Sequence, residues 1–172
     1  MKGLRKSYIG EQPRRRDRLI KERTHDPYKT RLKLPEPTVC PRCSATWHAG
    51  RWQWLEHQPE NANEELCQAC HRINDRYPAG ELALRGSFLK AHEEEILHLI
   101  RNTEKAENQD HPLHRIISID RTEDGFLVTT TDLHLPRRIG QAIYNAYEGE
   151  FDFNYDEEGY FVRANWRRER KT

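Results

Sequence analysis

The chain is poor in apolar residues and has no long apolar run. Counting Ala, Val, Ile, Leu, Met, Phe, Trp, Cys and Gly, apolar residues make up about 36% of its 172 positions and charged residues 33%, where typical globular chains run at about 45–50% apolar by that count and about 25% charged. One large core is thereby excluded, and small cores with an added staple are expected. No stretch approaches the ~18 consecutive apolar residues of a membrane span. No apolar segment follows the first positive charges, so a secretory signal is not expected and the chain reads as cytoplasmic. There is no Gly-rich phosphate loop and no GxSxG elbow, which removes two common routes to nucleotide binding and hydrolysis.

Cysteine is scarce too, but its placement is the strongest signal in the sequence. The four cysteines form two CxxC pairs, Cys40-Pro41-Arg42-Cys43 and Cys67-Gln68-Ala69-Cys70, with twenty-three residues between the pairs. Where thiols stay reduced, such pairs favour a metal over disulfides. A CxxC turn lets two sulfurs reach one ion, and two turns supply the four tetrahedral corners of a structural zinc site. Zn²⁺ is the expected cofactor, held by Cys40, Cys43, Cys67 and Cys70. Four thiolates leave no open coordination position, so this site is a scaffold, and a non-enzymatic chain without a small-molecule substrate is expected. His48, His57 and His71 lie close by but are surplus to a saturated ion.

Two other metal readings fail on the same residues. Cys67-Gln68-Ala69-Cys70-His71 spells a c-type haem attachment. That chemistry needs export and usually a second axial ligand, and the only methionine is Met1. His92-Glu93-Glu94 gives the HxE of zinc deaminases, but those enzymes place HxE before a PCxxC and use three protein ligands. Here the order is reversed, and Val39 and Leu66 precede the CxxC turns.

Charge is distributed unevenly. Residues 1–34 hold twelve Lys and Arg against four Asp and Glu, a local charge of +8; the whole chain carries +1, so the remainder carries −7. A basic arm on an acidic body is a layout for contact with a polyanion. Arg14, Arg15, Arg16, Arg18 and Arg23 are the densest part, and guanidinium groups match phosphate bidentately. Residues 1–34 show no helical or strand period and read as a flexible arm. A solubilising tail is the plainer alternative.

Beyond the arm, residues 35–85 read as the metal module, with Trp52 and Trp54 in strand-like alternation. Trp47, Trp52 and Trp54 suit the miniature core of such a module better than base stacking. Residues 58–65 read as a loop. Residues 72–77 form a candidate short helix, stopped by Pro78 and Gly80. Residues 86–110 carry the clearest helix, over 87–107, with Ser87 as its N-cap and Phe88, Leu89, Ala91, His92, Ile96, Leu99 and Ile100 as its apolar stripe. Residues 111–172 read as a ββαββ domain. Strands at 113–120 and 126–131 flank the turn Glu123-Asp124-Gly125. A helix from 133 to 147 is capped by Asp132 or Thr131 and ended by Gly149. Strands at 151–155 and 160–166 follow. The fold class is α+β: a zinc-ribbon-like module, a connecting helix and a small domain with an antiparallel sheet. Arg137 and Arg138 fall in the first turns of the last helix, where cations oppose the dipole. Their placement suggests an anionic partner.

The two cysteine pairs resemble those of the nonsense-mediated decay protein three family. So do Val128-Thr129-Thr130-Thr131-Asp132 and Arg137-Arg138-Ile139-Gly140. Arg51-Trp52-Gln53-Trp54 and Arg76-Tyr77-Pro78-Ala79-Gly80 resemble small bacterial proteins of that type. The resemblance spans residues 38–166 and excludes the arm. It implies a zinc-ribbon protein that binds the ribosome or ribosomal RNA, as archaeal and eukaryotic members bind the large subunit. Larger members carry more CxxC pairs and further domains, so their role in nuclear export does not carry over.

The sequence thus points first to a zinc-binding protein that contacts the ribosome or another structured RNA through its arm, with Arg137 and Arg138 adding a second contact. The alternative is an adaptor whose acidic body docks a basic protein. A third reading, an enzyme, requires a cleft gathering some of His92, His98, His111, His114 and His134.

Overall fold

The computed structural model describes residue 28 and residues 33–171. Among these, the chain forms two sheets and four helices in a mixed α+β arrangement. The first sheet is built from very short strands: β1 (Thr38–Val39), β2 (Thr46–His48), β3 (Arg51–Gln53) and β4 (Asn63–Glu64), in the order β3-β2-β1-β4. Ala49 and Gly50 join β2 to β3 with φ of 52° and 76°. Two consecutive positive φ values make the tight turn that matches the twist of a hairpin. The Glu36 carboxylate accepts the N–H groups of both turn residues at 3.1 and 3.0 Å. Residues 58–65, expected as a loop, contribute β4, which pairs in parallel with β1.

Helix α1 (Gln68–Asp75) begins directly after Cys67, four residues earlier than its apolar pattern suggests. It stops where Arg76 turns left-handed at φ 50°. Next comes β5 (Gly80–Arg85), the central strand of the second sheet, whose order is β6-β7-β5-β9-β8. Sequence reasoning places residues 80–85 in the metal module, because the strand begins directly at the Pro78 and Gly80 breakers. Its alternation decides its true position: Leu82 and Leu84 are fully buried, while Arg85 is exposed.

The expected helix over 87–107 is two helices, α2 (Ser87–Ala91) and α3 (Glu93–Asp110), parted at His92. Ser87 does not cap α2; it is the first helical residue. Its N–H and hydroxyl both donate to Glu169 Oε2, at 2.9 and 2.7 Å, so the helix start is capped from the far end of the chain. Strands β6 (Ile116–Arg121) and β7 (Gly125–Thr130) form the expected hairpin. Helix α4 (Leu135–Tyr147), β8 (Glu150–Tyr155) and β9 (Val162–Arg167) complete the ββαββ order. Asp132 caps α4 as expected, its Oδ2 accepting from the N–H groups of His134 and Leu135 at 2.7 and 3.1 Å.

The main core lies between the sheet and the helices. Leu82, Leu84, Val128, Ala164 and Trp166 meet Leu89, Ile96, Ile100, Leu135, Ile139 and Ile143, and all are essentially inaccessible to solvent. Each Leu or Ile buried this way contributes about 1.5–3 kcal/mol. Trp166 satisfies its buried indole N–H on Glu148 O at 2.7 Å. Gly140 lets α4 lie close to β8: a Cβ there would sit 2.1 Å from Phe151 Cε2. No helix among the described residues is long and apolar enough to cross a membrane.

Candidate metal centre

The first CxxC sits in the turn between β1 and β2. Cys40 N–H donates to Ala45 O at 2.8 Å and Ser44 N–H to Cys40 O at 2.9 Å. Ser44 takes φ 67°, which closes the knuckle and turns both sulfurs inward. The second pair lies at the start of α1, where the Cys67 sulfur accepts the Cys70 N–H at 3.4 Å. Cys67 N–H in turn points at Cys40 Sγ at 3.4 Å. Backbone N–H groups aimed at sulfur favour the thiolate form.

The four sulfurs all lie within 4.8 Å of one another. Cys43 Sγ and Cys67 Sγ are 3.8 Å apart. A tetrahedral ion with ~2.3 Å bonds to sulfur spaces its ligands by about 3.8 Å. The donor set and its spacing therefore fit one metal ion, as the cysteine spacing predicts. Cys40, Cys67 and Cys70 are buried and Cys43 is half-buried. The hydrogen bond from Cys67, with Arg115 nearby, lowers the Cys43 pKa to about 4. Donating that bond, together with burial, pushes the Cys67 thiol up, and burial pushes Cys70 up. A metal must displace those protons, so uptake releases them and weakens in acid.

Trp52, Leu66 and Leu113 pack around the sulfurs. Trp47 meets Trp52 edge-on, with ring centroids 5.9 Å apart, so these two serve as the miniature core. Trp54 is exposed and donates its indole N–H to Asn108 O at the end of α3, at 2.7 Å.

Sequence reasoning missed the residue that closes this site. Arg115, forty-five positions beyond Cys70, extends Nη2 to Cys67 Sγ at 3.2 Å, Cys70 Sγ at 3.3 Å and Cys43 Sγ at 3.8 Å. It enters from the leading edge of β6 and so ties the second sheet to the metal knuckles. Thr131 fixes its backbone from both sides: Arg115 N–H donates to Thr131 Oγ1 at 3.0 Å, and Thr131 N–H donates to Arg115 O at 2.9 Å. A four-thiolate site on a divalent ion carries two net negative charges, and a half-buried guanidinium offsets one of them. The sequence separation hides this pairing. The run of three threonines is its only local trace.

The other expected site residues fall into two groups. Arg14, Arg15, Arg16, Arg18 and Arg23 lie outside the described residues. Arg137 and Arg138 both emerge near the start of α4. Arg137 lies over the Phe153 ring, 4.3 Å from its centroid, and donates to Tyr155 Oη at 2.9 Å. Arg138 pairs with Glu107 at 3.4 Å. Tyr28, at the end of the arm, lies against α1 with its hydroxyl donating to Asp75 at 2.8 Å and the Arg72 guanidinium 4.5 Å from its ring centroid.

Three of the five candidate histidines come together, while His98 is exposed on α3 and His92 lies apart from them. His92 stacks on Phe88 at 4.1 Å. His111, His114 and His134 form a chain of rings with centroid spacings of 4.6 and 5.6 Å. His114 lies between two carboxylates, Glu107 and Asp132, each 3.4 Å from one of its ring nitrogens. Burial lowers the His114 pKa and raises that of Asp132, outweighing their mutual attraction.

Compared with known proteins, the chain matches no protein-family model and no curated protein.

Proposed function

We propose that this chain is a zinc-stapled, non-catalytic RNA-binding protein that associates with the ribosome or another structured RNA. The observation that carries the reading is the shelf formed by Arg137, Phe153 and Tyr155. Phe153 and Tyr155 are 37% and 42% exposed on the edge strand β8, with the Arg137 guanidinium lying over the Phe153 ring. Large aromatics left in water beside a cation are the elements on which single-stranded bases stack. The +8 segment upstream supplies the phosphate-neutralising charge. The resemblance to the ribosome-binding family, which includes Arg137 in one of its motifs but excludes the arm, points to the same class of partner. On this reading the metal is zinc, held by Cys40, Cys43, Cys67 and Cys70, and it staples the fold without taking part in chemistry. The histidine cluster is not needed for RNA contact.

Sedimentation of the tagged full chain with cell extract tests the proposal. Co-migration with a ribosomal subunit is expected, weakening steeply with salt. Arg137→Ala and deletion of residues 1–34 should each reduce it. A complex that survives nuclease and high salt unchanged would overturn the RNA reading in favour of a protein-docking adaptor.

A further inference from the structure

A second group of metal-ligating side chains gathers where α3 ends. Glu107 lies in the last turn of α3, and His111, four positions later, returns its N–H to Glu107 O at 2.9 Å. The chain then folds back, with His114 N–H donating to His111 O at 2.9 Å. Asn108 clamps this turn, its side-chain amide donating to Pro112 O at 3.2 Å and His114 O at 3.4 Å. The pattern Glu-x3-His-x2-His is thereby folded onto one point, and one ligand atom from each residue lies within 4.8 Å of the others.

His114 is set between two carboxylates, one facing each ring nitrogen. Its Nδ1 faces Glu107 Oε2 at 3.4 Å and its Nε2 faces Asp132 Oδ2 at 3.4 Å. A neutral imidazole has one N–H and can satisfy only one of two carboxylates. With Nε2–H on Asp132, the Nδ1 lone pair is aimed at a carboxylate oxygen, and either a proton or a metal cation between them removes the repulsion. A tetrahedral ion with ~2.1 Å bonds to nitrogen and oxygen spaces its ligands about 3.4 Å apart, the Glu107–His114 separation. A carboxylate behind the far nitrogen of a ligating histidine is also the usual support of such a ligand, because it fixes tautomer and ring orientation. Asp132 is fit for that task. Its Oδ2 is anchored by the N–H groups of His134 and Leu135, and its buried Oδ1 has no hydrogen-bond partner. On the other side Arg138 steadies Glu107, with Nε 3.4 Å from Oε1.

We propose that Glu107, His111 and His114 form a second metal site, distinct from the four-cysteine centre and backed by Asp132. Two imidazoles and one carboxylate are a borderline donor set that selects zinc or a similar divalent transition metal. Three protein ligands leave a coordination position for water or an exogenous ligand. His111 is exposed, so that position is accessible from solvent. The site adjoins the first one through the chain itself, since His114 precedes Arg115, which touches the sulfurs. It is independent of the RNA reading.

The test is metal stoichiometry of the purified full chain, titrated first with zinc and then with cobalt as a spectroscopic probe. Two metals per chain are expected at saturation, the second bound more weakly. The first cobalt equivalent should bring sulfur-to-cobalt charge transfer, and the second should add ligand-field absorption without further sulfur intensity. His111→Ala, at an exposed position, and Glu107→Gln should each reduce the count to one while leaving the sulfur band intact. Saturation of the native chain at one metal would overturn the proposal and leave only a hydrogen-bonded histidine–carboxylate cluster. A second equivalent unaffected by both variants would overturn it equally.

Discussion

Replacing Arg115 by Met tests how the two sheets are joined. The guanidinium makes two contacts to thiolate sulfur, at 3.2 and 3.3 Å, and a longer one at 3.8 Å. Hydrogen bonds involving a charged group are worth about 1.5–3 kcal/mol each. Burying the cation offsets part of that gain. Loss of a comparable supporting group typically weakens a metal by about 10–100-fold, or about 1.4–2.8 kcal/mol, and that range is expected here. Competition of the zinc-loaded protein against a chromophoric chelator measures it directly. Arg115→Lys keeps the charge but loses the planar fork and should fall between the two. The loss of stability in Arg115→Met should be smaller in metal-free protein, where Cys43, with its pKa held at about 4, is the thiolate left to counter the Arg115 charge. Thermal unfolding with and without chelator separates these effects. Zinc affinity in Arg115→Met within about twofold of the native value would refute the argument, since a tenfold loss is its lower bound.

Two further outcomes follow from the packing. Gly140→Ala should destabilise the chain by about 1–3 kcal/mol in denaturant unfolding, although Ala is the better helix former by about 1 kcal/mol, because its methyl would strike the Phe151 ring. A stabilised Gly140→Ala variant would show that β8 can move away from α4. Glu169 accepts from the hydroxyl and N–H of Ser87 and pairs with Arg167, which together hold its carboxyl down to about 2. A depressed folded-state pKa stabilises above the ordinary glutamate value near ~4.3 and is lost as pH falls toward the folded value. The difference in melting temperature between native protein and Glu169→Gln should thus narrow as pH falls from about 4.5 to about 2; a difference constant over that window would contradict the capping role of Glu169.

Local rules made much of this chain readable. CxxC spacing is short enough that the knuckle geometry is nearly dictated by the residues themselves. The Glu123-Asp124-Gly125 turn, the Asp132 cap and the apolar stripe of α4 are equally local, and the hairpin and helix they mark are present within a few residues. Reading failed where a partner lies far along the chain. Strand β5 begins at helix breakers, and its membership of the second sheet rests on pairing with β7 and β9, forty or more positions away. Ser87 has the chemistry of a cap, yet Glu169 supplies the cap instead.

The sequence by itself determined the four-cysteine cluster, the charge asymmetry and the ββαββ order of residues 111–172, because each depends on residue type and near-neighbour spacing. Only the tertiary structure decided what surrounds the metal site and what gathers beside it. Arg115 reaches the sulfurs, and Glu107, His111, His114 and Asp132 converge, because the sheet and α3 bring distant backbone segments together. Contacts of that kind follow from packing of the whole core, which no local spacing encodes.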